Sequence, residues 1–145
     1  MSDKCEVAIS SALLQRAQQF ADTQGLTISY PNMKFTPPNA SPTAKWLRAS
    51  LLPNDSFALS INDDGPNQYY GILQIDVFYG QEAGIIAPMR IAAAAASYFK
   101  NGTTMTQDGF TVFIMDVPRI SQGLRDDPWV MVPVRIPYQS LSVNP

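Results

Sequence analysis

The chain has 145 residues, which fits one domain over residues 1–145 with a core large enough to need no metal or disulfide. Ten Lys and Arg stand against twelve Asp and Glu, a net charge of −2, so the basic excess of a nucleic-acid binder is absent. With no histidine and one cysteine, the common zinc sites, Ser–His and Cys–His catalysis and an internal disulfide framework are excluded.

The chain order begins with a helix from about Asp3 to Thr23. Asp3 and Glu6 form a capping-box pattern, Leu13, Leu14, Ala17, Phe20 and Ala21 keep helical spacing, and Gly25 is placed to end the helix. Leu26–Tyr30 alternates and reads as a short strand. Pro31 to Pro42 contains four prolines, which forbid a helix interior or a central strand. Because Met33 and Phe35 are apolar, this stretch is expected to be an extended arm, lying either on its own core or on an adjoining subunit.

Two strands follow, Ala44–Leu52 and Phe57–Ile61, joined by the turn-forming Pro53-Asn54-Asp55-Ser56. After a second turn at Asn62–Asn67, Tyr69–Tyr79 is the strongest strand of the sequence. It turns Leu73, Ile75 and Val77 to one face and Ile72, Gln74, Asp76 and Phe78 to the other. A helix from Ile85 or Ile86 to Lys100 carries Pro88 in its first turn and an apolar stripe of Ile85, Met89, Ala92, Ala96 and Phe99. Its alanine run has little bulk and lets the axis approach a sheet closely.

Phe110–Met115 and Trp129–Tyr138 complete the strands. Pro133 and Pro137 both lack an N–H on one flank of the last strand, so it is expected to lie at a sheet edge and to pair through the Val132 and Val134 side. The connection Asp116–Pro128 is long for a hairpin and carries Arg119 and Arg125. The fold class is therefore α/β (α+β): a mixed or antiparallel β-sheet covered by two α-helices, with an extended proline-rich arm and Tyr69–Tyr79 central.

Catalytic patterns are missing. No Gly-Lys-Ser phosphate loop or dinucleotide fingerprint occurs, and Cys5 has no histidine to activate it. The adjacent acids Asp63-Asp64 and Asp126-Asp127 lack calcium-loop spacing. Asp76, in the middle of a strand, needs a partner, for which Arg48 and Arg135 are the candidates. Neither a catalytic site nor a metal or other cofactor is expected. No apolar run is long enough to span a membrane, and the charged stretch Met1–Glu6 lacks the apolar run expected of a signal peptide.

Only 15% of residues are charged, against about 25% in ordinary soluble proteins. A surface of that kind costs little to desolvate. It belongs either to a polar uncharged monomer or to a subunit that covers itself with neighbours.

Tyr30-Pro31-Asn32-Met33-Lys34-Phe35-Thr36-Pro37-Pro38 followed by Trp46-Leu47-Arg48 resembles the arm and first hairpin of tail terminator proteins of long-tailed, lambda-like bacteriophages. Gly71-Ile72-Leu73-Gln74-Ile75-Asp76-Val77 is similar to their Gly-x-x-Gln-Ile-Asp-Val strand, and Trp129–Tyr138 to their closing strand. The resemblance implies a structural virion protein without catalysis that caps the tail tube as a ring, with a hexamer as the expected form. Its partners would be further copies of itself, the tail tube protein and the head–tail connector protein, with DNA passing through the lumen but not bound specifically. It would reside in the phage tail after assembly in the host cytoplasm.

Met33, Lys34, Phe35, Arg119 and Arg125 are the candidate subunit-interface residues. The alternatives are a head–tail connector, neck or tail completion protein and, from another class, a small-molecule-binding or enzymatic α/β domain.

Overall fold

The computed structural model describes residues 2–53, 57–58 and 66–143. The turns called at 53–56 and 62–67, the Asp63-Asp64 pair and most of the strand called at 57–61 lie wholly or partly outside them. Helix α1 spans Ser2–Gln24 and ends at Gly25, whose φ of +67° is the left-handed conformation that glycine adopts without strain. Strand β1 (Ile28–Ser29) pairs in parallel with β2 (Lys45–Pro53). β2 pairs antiparallel with the long β4 (Pro66–Gly80).

The segment β3 (Phe57–Ala58) also pairs with β4, where β2 has stopped. The expected first hairpin is thus absent as such: β2 and β3 are successive pieces of one flank of β4. After β4 comes α2 (Ile86–Tyr98), then β5 (Thr104–Gln107), β6 (Phe110–Ile114), β7 (Arg119–Ile120), β8 (Leu124–Asp126) and β9 (Trp129–Val143). The sheet runs β1-β2-β4-β9-β6-β5, with β7 and β8 also on β9. It is a mixed sheet: β1–β2 is parallel and the other pairings among the described residues are antiparallel.

β5 is a strand that the hydrophobic pattern omits. Its signal was the dipeptide Asp108-Gly109, both at positive φ, the chemistry of a tight two-residue hairpin turn.

The expectation for Trp129–Tyr138 is corrected: β9 lies inside the sheet, paired with β4 from Pro66↔Val143 to Gly80↔Trp129. Val132 and Val134 do pair toward β4, as their free N–H groups require. Ser121 N–H donates to the Pro133 carbonyl, so the proline nitrogens face the opposite flank. That flank is covered by three short strands. β8 pairs with Trp129–Met131, β7 with Val134–Arg135, and β6 with Tyr138–Ser140. Each proline falls in a break between two of them. A missing donor interrupts a ladder without leaving the strand at an edge.

Both helices pack on one face of this sheet. Leu13, Ala17 and Phe20 of α1 and Ala92 and Ala95 of α2 share a core with Leu47, Leu73, Ile75, Val77, Val132, Val134 and Ile136. Of the expected α2 stripe, Ala92 and Phe99 are buried and Ala96 packs on the core, together with Pro88 and Ala95, while Ile85 and Met89 are exposed. Arg16 ties the helices together, donating two hydrogen bonds to the Tyr98 carbonyl and lying over the Tyr98 ring.

Among the described residues no helix covers the other face. At one end Trp46 stacks on Phe78 with centroids 4.0 Å apart and meets Trp129 edge-on. Beside it Asp76 is fully buried. It accepts two hydrogen bonds from Arg48, the residue opposite it on β2, and one from Gln74. Arg48 was one of the two partners anticipated. Arg135 instead stands opposite Gln74.

Candidate subunit-contact surface

Two surface regions carry the interface candidates. Residues 31–42 form no helix or strand; a turn closes from Met33 N–H to the Tyr30 carbonyl. Met33 and Lys34 are exposed, Met33 by 67%. Phe35 is engaged within the chain, its ring 5.1 Å from that of Trp46. The far end of the segment is fixed against β4: a Cβ on Gly80 would lie 1.7 Å from the Ser41 carbonyl oxygen, so only glycine allows this approach.

The second region is the corner formed by the N-terminus of α2 and the β7–β8 segment. Ile85, Ile86, Met89 and Ile120 are all substantially exposed here, while Leu124, opposite Met131, is exposed on the other face of the sheet. Ile85 touches Gly123, which joins the helix end to the strand pair: a Cβ at Gly123 would sit 2.7 Å from Ile85 Cδ1. The connection expected as a loop over 116–128 therefore holds two short strands against β9. An apolar patch rimmed by polar groups is the usual mark of a binding surface.

Arg125 sits on the rim, donating to the Gln81 side-chain oxygen at 3.1 Å and to Asp127 at 3.3 Å. Asp127 also accepts a hydrogen bond from the Gln81 amide. That bond first, and then Arg125, hold the Asp127 carboxyl below the usual carboxylate range. Both ionic partners are exposed, so the pair adds little to stability. Arg119 is exposed on β7. The structure thus places Arg119 and Arg125 on neighbouring short strands but on opposite faces of the sheet, and sets Phe35 against Trp46 of β2 with Met33 and Lys34 exposed ahead of it. The exposed α2 residues and Leu124 were not among the sequence candidates. Their signal was the isoleucine pair Ile85-Ile86, which a single helix stripe cannot bury on both sides.

Among the described residues no group of three or more His, Cys, Asp or Glu is placed to hold a metal ion. No helix is long and apolar enough to cross a membrane.

A mixed sheet with both helices on one face defines an α+β protein. The family model of the phage tail terminator protein matches residues 8–138, and the chain belongs to that family, one of structural phage tail proteins and not of enzymes. A solved structure is similar to this chain with a TM-score of 0.76. It shares 25% identity over 97% of each chain. No curated protein matches.

Proposed function

We propose that this chain ends the growing phage tail by forming a ring, expected to be a hexamer, on the last layer of tube subunits, and that it then offers a surface to the head–tail connector. The family supports a tail-completion role. The observation that carries the ring is the apolar corner of Ile85, Ile86, Met89 and Ile120, which a free monomer leaves in water. A closed ring needs two different surfaces on each subunit, and the corner and the Met33–Lys34 tip lie on opposite flanks of the sheet. The low charge content lowers the desolvation cost of both. Assembly would take place in the host cytoplasm.

The experiment is light scattering and negative-stain imaging of the full chain, alone and with tail tube protein. Rings and capped tubes are expected. Ile86→Ser with Met89→Ser should abolish association while changing the stability of the single subunit by no more than about 0.5 kcal/mol, because both side chains are at the surface. A chain that stays monomeric at every concentration and ignores tube ends overturns the reading. Binding to head connectors alone would assign it to the connector side of the neck.

A further inference from the structure

The register of β7 on β9 sets Arg119 directly opposite Arg135. Opposite residues of an antiparallel pair project from the same face with Cβ atoms about 4.5–5.5 Å apart, and like charges there destabilise the pair. Arg135 is on the helix-free face, since Val134 and Ile136 on either side of it are buried in the helix-covered core. Both arginines are exposed. Among the described residues the ion pairs are Arg48–Asp76 and Arg125–Asp127, and neither includes them. On β4, Arg135 stands opposite Gln74, a neutral amide already bonded to Asp76. Two arginine side chains thus leave the same face from opposite positions on an acidic chain, and no ion pair among the described residues offsets their like charge.

We propose that Arg119 and Arg135 form a clamp for a carboxylate of a second copy of this chain, an inference that rests on the ring reading above. A planar guanidinium holds a carboxylate through two parallel hydrogen bonds, and two of them surround it from both sides. The chain supplies such groups in excess: Glu82, Asp108 and Asp126 are exposed and have no ion-pair partner among the described residues. A nucleic-acid strand is the poorer fit. It needs a track of several cations, whereas the pair is bordered by Gln74, Pro133 and Pro137. An acidic neighbour cancels in the ring the repulsion that each subunit carries alone.

The test compares the full-length protein with Arg119→Gln and Arg135→Gln, each made singly. Thermal unfolding is read at low protein concentration, and self-association by sedimentation at low and high salt. Each substitution should leave the melting temperature unchanged or raise it, and should weaken association by about tenfold or more, the size of one lost charge-assisted bond. Added salt should weaken the parent and have less effect on the variants. Rings that form equally well with both variants overturn the clamp and leave the ring reading standing. A parent chain that never associates overturns both. A lowered melting temperature shows a structural role instead, and duplex DNA bound by the parent but not by the variants reassigns the pair to nucleic acid.

Discussion

The two faces of the sheet are held by different physics. On the helix side, Leu13, Phe20, Leu73, Ile75 and Val77 are sealed from water, and stability there is area removed from solvent. On the other side a stacked aromatic cluster sits next to a buried carboxylate with three hydrogen bonds, and beyond these lie half-buried Ile72, Ser50 and Gln74. The first face needs no specific partner chemistry, only apolar shape. The second depends on pairings made by strand register, and its unsealed part is available to other chains.

The largest effect expected is on the sealed face. Phe20→Ala removes a ring that is 1% exposed and packed beside Tyr98, and should cost about 3–5 kcal/mol in denaturant unfolding. A loss under about 1 kcal/mol would mean that α1 contributes little to the core. On the open face, Asp76→Ala should cost about 2–3 kcal/mol, the value of hydrogen bonds to one charged acceptor. The loss stops short of a fully buried ion pair because the Arg48 side chain is 43% exposed and regains water. If Asp76→Ala cost more than Phe20→Ala, the contrast between the faces would be reversed.

Alkaline pH probes the sealed side again. Burial, and secondarily the charge of Glu6, raise the Tyr138 hydroxyl above its ordinary 10.0. The folded chain then keeps a proton that the unfolded chain releases. The stability this supplies is complete below pH 10 and falls as pH climbs through the folded value. Tyr138→Phe should therefore show a shallower alkaline loss of stability than the parent; equal slopes would contradict the burial.

The smallest effect is expected at Trp46. Its Nε1–H is buried with no hydrogen-bond partner among the described residues. Trp46→Phe keeps a ring against Phe78 and removes the orphan donor, so stability should hold or rise by up to about 1 kcal/mol. A clear loss would place the value of this cluster in the indole's bulk.

The sequence by itself determined the elements whose signals are local. Helical spacing and Gly25 delimited α1, alternation marked Leu73–Val77 as a core face, and Asp76 in mid-strand demanded a cation. Hydrophobic period and backbone conformation are properties of neighbouring residues, so they can be read in one dimension. The order of motifs also pointed to the tail terminator family. Tertiary structure decided what covers the far flank of β9. Pro133 and Pro137 fixed where its ladder must break, yet only the folded chain shows β8, β7 and β6 meeting in turn between those breaks. It likewise decided that Arg119 and Arg135, sixteen positions apart in sequence, stand side by side. Strand register is set by long-range pairing and turn geometry, and a shift of one residue would send either arginine to the opposite face.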